Sequence, residues 1–240
     1  MDGDFKYFRF RPINKYLIES LVNPSLYFAK PEELNDPFDC NLDIKRAIEN
    51  FKSSVIGLRE RFLAELLDKS EFFENWKLQL GNVGVCSFSN NANETLMWSH
   101  YADDHRGVRL LYQFPWAVLL EKFKPVVVMG EVEYSTERLT KLLTRVPMEM
   151  ETFVTELVHV YLKTKNPAWG YEKEVRIIRR KHGVLNIPGA FLKQICFGLR
   201  TPQSDIDLVI KLAQQYCGCT NFGKMVPDET DFGFTMQPYS

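Results

Sequence analysis

Residues 84–114 read GVCSFSNNANETLMWSHYADDHRGVRLLYQF, and the fold is decided here. Val83 to Phe88 has the character of a pleated strand, and Ser89-Asn90-Asn91-Ala92-Asn93 breaks it with a polar loop. Glu94 to Ala102 reads as a short helix, Gly107 closes a turn, and Val108 to Phe114 is a second apolar run. Into this strand–loop–helix–strand unit are packed Ser87 and Ser89, an Asn-rich loop, and Trp98, Ser99, His100 and Tyr101 in a row. A purely structural connection rarely needs so many hydrogen-bonding side chains beside aromatics, so the stretch is expected to border a small-molecule or nucleotide pocket.

Working towards the N-terminus, Phe5 to Arg11 alternates, with Tyr7, Arg9 and Arg11 on one face and Phe8 and Phe10 on the other. Asn14 caps a helix that turns Tyr16, Leu17, Leu21 and Val22 inward, and Leu26 to Ala29 is a short strand. The following segment holds two prolines and an Asn35-Asp36 pair, which makes a rigid polar loop through Asp39 and Cys40. Residues 42–80 carry apolar positions at three- and four-residue steps and form a helical insertion without catalytic signals. Its helical aromatics are core residues by spacing.

Towards the C-terminus, Trp116 to Phe123 reads as helix, and two β-type segments follow from Pro125 to Tyr134. Glu137 to Lys163 is helical with a break at Pro147, and Tyr171 to Arg179 enters a strand opened by Glu172-Lys173-Glu174. Ala190 to Gly198 is a strand, Ile206 to Tyr216 a helix, and the tail an edge strand. Neither repeats nor a linker divide the chain. The expectation is one α+β domain over residues 1–240 with a mixed, bent or split β-sheet and the 42–80 helical insertion.

Composition bounds the function. The 240 residues hold 45% hydrophobic and 25% charged side chains, with a formal net charge of -1. That balance is that of a soluble globular protein and argues against broad nucleic-acid binding. A local basic patch is expected from Arg176, Arg179, Arg180 and Lys181. No apolar run reaches the roughly 20 residues of a membrane span, and MDGDFKYFRF does not read as a leader, so no membrane partner and a cytoplasmic location are expected. The five cysteines lack zinc-ligand spacing, and no metal site is expected.

Three constellations carry chemistry. On a strand, Glu172 and Glu174 point to one side; the two carboxylates repel, and one stays available as a base or electrostatic stabiliser. A structural alternative pairs them with Arg176 and Lys173 on a solvated edge. Ser87 and Ser89 share a face without the Gly-x-Ser-x-Gly of a hydrolase, and suit a ribose or phosphate. His100 is a candidate base or a satisfied core histidine, while Trp98, Tyr101 and Tyr171 can stack on a base or nicotinamide ring. Glycine spacing matches neither phosphate loop nor dinucleotide fingerprint.

The pieces YFRFRPIN, LYFAKPEELNDPFDC, CSF with LMWSHYADDHRGV, WGYEKEVRII and FLKQICFG together resemble a widespread bacterial family defined as a domain of unknown function. More distantly, the order of a basic strand, a Ser-x-Ser strand, a helix, a strand and Glu-x-Glu is similar to the arginine–serine–glutamate class of ADP-ribosyltransferases. That resemblance implies an ADP-ribosyltransferase-like core and glycosyl transfer from NAD to an unknown acceptor, as in a bacterial effector or defence protein. Arg9 or Arg11 would contact the NAD phosphates, and Ser87-Phe88-Ser89 would order the site, although Phe88 replaces the usual threonine. Glu174 would hold the nicotinamide ribose and stabilise an oxocarbenium-like centre, while Glu172 would orient or activate the acceptor. The pocket would be lined by Asn35, Asp36, Ser87, Ser89, Trp98, His100, Tyr101, Glu172 and Glu174. Two other classes compete: a nucleotide- or nucleic-acid-sensing module without catalysis, and a nuclease-type effector using Asp36, Asp39 and Glu174 around Mg²⁺.

Overall fold

The alternating run Asp4–Arg11 forms β1, the longest-paired strand of an eight-stranded mixed sheet. The computed structural model describes residues 4–239 apart from 116, 119, 120, 122, 124, 125 and 231, so half of the helix expected at Trp116 to Phe123 lies outside the described residues. In chain order the strands are β1, β2 (Ser25–Phe28), β3 (Gly84–Ser89), β4 (Val108–Pro115), β5 (Val126–Glu131), β6 (Glu133–Tyr134), β7 (Thr164–Lys165), β8 (Glu174–Arg179), β9 (Gly183–Asn186), β10 (Leu192–Phe197), β11 (Phe222–Pro227) and β12 (Phe234–Pro238). The large sheet runs β12-β11-β10-β4-β1-β3-β8-β5, antiparallel except between β10 and β11. Separate ribbons pair β2 with β9 and β6 with β7.

The sheet is split at its centre. β1 pairs with β4 along its whole length and β3 with β8 along its whole length. Between β1 and β3, however, the ladder registers only Phe8 against Ser89. Beyond that point the strands diverge into a fork. Of the mixed, bent or split sheet expected from the sequence, the observed one is mixed and split, and α+β is the fold class.

Helices close both faces. Asn14 caps α1 (Lys15–Val22) by accepting from the Tyr16 and Leu17 amides at 3.1 and 3.2 Å, as its short polar side chain favours. Leu17 and Leu21 of α1, with Ile206 and Val209, pack on Phe5, Leu110, Tyr112 and Phe114 of the sheet. Tyr16 departs from the inward set expected for it and lies exposed. On the opposite face, α5 (Thr95–Tyr101) seats Met97 and Trp98 against Phe10, Cys196 and Met225. The insertion forms α2 (Ile44–Lys52), α3 (Leu58–Asp68) and α4 (Ser70–Gly81). With α6 (Arg138–Thr144) and α7 (Met150–Lys163) it encloses a core of its own around Ile48, Leu63, Phe153 and Leu157.

Some boundaries shift for local reasons. Residues 189–191 are a 3₁₀ turn after Pro188 rather than the start of β10. The final helix, α8 (Gln203–Leu212), gives way to a π turn at Ala213–Cys217 that ends on Gly218 at φ 67°, a left-handed position suited to glycine. Pro167–Glu172 is a 3₁₀ turn, so Glu172 precedes β8, and Lys173 bridges to it at φ 41°. All five cysteines are buried free thiols. Among the described residues no helix is long and apolar enough to cross a membrane.

Gly107 sits where α5 turns into β4, and a Cβ there would lie 2.3 Å from the Arg11 carbonyl oxygen and 2.9 Å from Ala102 Cα. Gly81, with nothing within 4 Å of the same position, provides a control. Gly107→Ala should cost about 1–3 kcal/mol through backbone overpacking and lower the melting temperature by several degrees, whereas Gly81→Ala should leave it near wild type. Equal melting temperatures for the two variants would contradict this packing.

Candidate functional site

The fork between β1 and β3 opens into a cavity of about 930 Å³. Arg9, Arg11 and Leu17 line it from the α1 side, and Ser87, Ser89, His100, Tyr101, Glu172 and Glu174 line it from the α5 side. Register explains the division. Phe8 opposes Ser89, and Ser87 and Ser89 oppose Arg176 and Glu174, so these side chains share one face. Alternation then turns Arg9 and Arg11 to the other. Only because the sheet is split do both sets reach one space.

The floor is an ion network. Arg176, fully buried on β8, donates from Nε to Glu174 Oε1 at 2.7 Å and from Nη2 to Glu174 Oε2 at 3.0 Å. Its outer edge donates to both carboxylate oxygens of Asp39, at 2.9 Å for Nη1, and Nη1 also reaches the Leu162 carbonyl at 2.9 Å. All five guanidinium donors are thus used. Lys165 Nζ lies 2.7 Å from Glu172 Oε2, 3.3 Å from Glu174 Oε2 and 3.8 Å from Asp39 Oδ2, and 4.9 Å over the Trp169 ring. Three buried carboxylates therefore share two buried cations, which leaves one negative charge in excess.

The two glutamates are shifted in opposite directions. Burial works against the Glu174 carboxylate, but the Arg176 guanidinium and then Lys165 outweigh it and hold the group down at about 2. Burial dominates at Glu172 and raises it, against the pull of Lys165 and Tyr101. The Tyr101 hydroxyl donates to Glu172 Oε1 at 2.5 Å and accepts from Asn35 Nδ2 at 2.8 Å. Its own ionisation is pushed up by burial and then by Glu172. Tyr134 Oη accepts the Glu174 backbone amide at 2.8 Å.

Arg9 and Arg11 enter the cavity from the other face of the sheet, on a wall that also includes Glu19 and Glu33. Arg9 stacks its guanidinium 5.4 Å from the Phe88 ring centroid. Arg11 is lowered to about 10, chiefly by burial and next by the neighbouring Arg9. Among the described residues no carboxylate pairs with either. Both arginines are half-buried, and a guanidinium fork is a shape that can hold a phosphate or carboxylate bidentately.

Several expectations need correction. Trp98 does not line the cavity: it is fully buried, edge-on to Phe10 at 5.2 Å, and anchors α5 so that Tyr101 and His100 project from the helix end. Asp36 faces a separate 720 Å³ cleft and caps its own turn through the Phe38 amide. Glu172 and Glu174 do not share a strand face; the 3₁₀ turn and the left-handed Lys173 bring them together, and their buried partner is Lys165 rather than Lys173. Ser89 is spent structurally, donating to the Glu172 carbonyl at 2.6 Å and accepting the Asn91 amide at 2.9 Å. Ser87 faces the cavity and hydrogen-bonds Glu174. His100 is neither core nor paired to a carboxylate; it is exposed at the rim, 6.1 Å from Tyr171. The basic patch does not form as a unit, because Arg176 is sealed in the network and Arg179 packs over Phe28.

Asp39 and Arg176 are both named by the sequence, Asp39 as a loop carboxylate and Arg176 as a partner of the glutamates on a solvated edge, but the pairing is buried and joins the two to each other. Lys165 is the member that sequence reasoning missed. It has no signal there, since only the Pro167–Glu172 turn folds it back over both glutamates.

The family described as Protein of unknown function (DUF2971) matches residues 97–177, a stretch that includes Tyr101, Lys165, Glu172, Glu174 and Arg176 but not Arg9, Arg11 or Asp39. Comparison with curated proteins and with solved structures returns no match.

The Glu174 network gives a pH signature. A carboxyl held at about 2 against its ordinary 4.5 contributes stability that is complete above about 4.5 and is lost as pH falls through about 2. Glu172, shifted upward, contributes with the opposite sign. The gap in melting temperature between wild type and Glu174→Gln should therefore narrow as pH is lowered from about 4.5 to about 2. Parallel profiles over that window would show that Glu174 is not the depressed group.

Proposed function

We propose that the cavity binds an NAD-type dinucleotide and that the protein acts as an ADP-ribosyltransferase-like enzyme, transferring the ADP-ribosyl group to an acceptor. The observation that carries this reading is one cavity lined both by Arg9 and Arg11, which have no carboxylate partner among the described residues, and by a Glu172–Glu174 network in which carboxylates outnumber cations. NAD⁺ has the matching polarity: an anionic pyrophosphate and, a ribose away, a cationic nicotinamide.

The chemistry follows from the charges. Breaking the nicotinamide–ribose bond develops positive charge on the sugar. Glu174, kept ionised and fixed by Arg176, Lys165 and Tyr134, offers a carboxylate that needs no reorganisation to stabilise it. Glu172, the less acidic of the pair, is suited to orient the acceptor and take its proton. The metal-dependent alternative fares worse on geometry, since Arg176 already holds Asp39 and Glu174, and Asp36 faces the neighbouring cleft. A sensing module without turnover draws on one observation: both Glu174 oxygens are already held by cations.

Calorimetric titration with NAD⁺, coupled to detection of nicotinamide, tests the reading. Wild type should bind saturably and release nicotinamide slowly. Arg11→Ala should bind roughly 10–100-fold more weakly, the value of losing hydrogen bonds to a charged group. Glu174→Gln should still bind but release no nicotinamide. The absence of binding at millimolar NAD⁺ would overturn the proposal, and binding without release would leave a sensor.

A further inference from the structure

Tyr101 occupies an unusual position for an aromatic residue at a nucleotide cavity. It lies at the last turn of α5, held there by buried Trp98, and it meets the cavity with its hydroxyl rather than stacking on a neighbouring ring. A phenol has one proton and two lone pairs. The proton is committed to Glu172 Oε1 at 2.5 Å and one lone pair to Asn35 Nδ2 at 2.8 Å. Among the described residues nothing else bonds to it, which leaves one lone pair unused on a residue that lines the cavity. Glu172 Oε2 is meanwhile held by Lys165 at 2.7 Å, which fixes the carboxylate and keeps Oε1 on the tyrosine.

We propose that Tyr101 is a further catalytic residue, a hydroxyl relay that carries the acceptor's proton to Glu172. This rests on the dinucleotide reading of the cavity. With water as acceptor, the water oxygen bonds to the ribose C1′ as the C1′–nitrogen bond breaks. Nicotinamide leaves as a neutral ring with that electron pair. The water proton passes to Tyr101 Oη as the tyrosine's own proton passes to Glu172 Oε1, and Glu172 later releases it to solvent. Products are ADP-ribose, nicotinamide and one proton. Asn35 serves as a positioning residue, since its amide fixes the direction of the free lone pair from the rigid Pro31–Pro37 loop.

The test uses the whole chain with NAD⁺ and water. Tyr101→Phe should bind NAD⁺ within about twofold of wild type and lose nicotinamide release by roughly 100-fold, the usual scale for a proton-transfer group. Glu172→Gln should lose a similar factor, and the double variant should be no slower than the worse single one, because the two residues act as a unit. A proton inventory on wild type in mixed light and heavy water reads the same step without any substitution, and two protons in flight should give a bowed plot. Release by Tyr101→Phe within threefold of wild type, multiplicative losses in the double variant, or a straight inventory would each overturn the relay while leaving the dinucleotide reading in place. Wild type that binds NAD⁺ but releases no nicotinamide would remove both the relay and the transferase. Failure to bind NAD⁺ at all would remove the dinucleotide reading with them.

Discussion

A guanidinium with no access to water has to find five acceptors, and Arg176 finds them in Asp39, Glu174 and the Leu162 carbonyl. These partners come from three parts of the chain: the proline-bounded loop before α2, the end of α7 and the start of β8. Satisfying one side chain therefore fixes the position of all three segments. Leaving a buried charge half-paired costs about 3–5 kcal/mol, so the arrangement is enforced rather than merely allowed. Lys165 extends it to Glu172, and Tyr101 and Asn35 extend it to α5 and the rim.

The second constraint is the fork. Had β1 and β3 paired along their length, the arginines of β1 and the carboxylates beside β8 would lie on opposite faces of a closed sheet, separated by its backbone. One registered pair, Phe8 with Ser89, holds the strands together and leaves the rest open. The cavity wall thus carries the Arg9 and Arg11 side chains from one face of the sheet and the Glu172–Glu174 network from the other. Within the network two chemically identical side chains are shifted in opposite directions, Glu174 downward by Arg176 and Glu172 upward by burial.

Much of this was legible in the residues. Alternation locates β1, β3 and β8, and the capping side chain Asn14 marks the start of α1. Most candidate residues, from Asn35 to Glu174, converge on the cavity. The failures have physical causes. Trp98 and Tyr101 are three apart on one short helix, and sequence does not say which ring faces the core. Glu172 was read onto a strand because a 3₁₀ turn has no strong composition signal and Lys173 carries a left-handed backbone without being glycine. Ser89 is expected to meet a ligand, whereas the Glu172 carbonyl and the Asn91 amide consume its hydroxyl. Lys165 escaped notice since its partners are set by tertiary folding alone.

The most direct measurement is a crystal structure of the protein with NAD⁺ bound. The account predicts the pyrophosphate on Arg9 and Arg11, the nicotinamide ribose against Glu174, and an ordered water or acceptor atom at the free side of the Tyr101 hydroxyl. A dinucleotide seated outside the fork, or one lying in it with its phosphates towards Glu172 and Glu174, would contradict it.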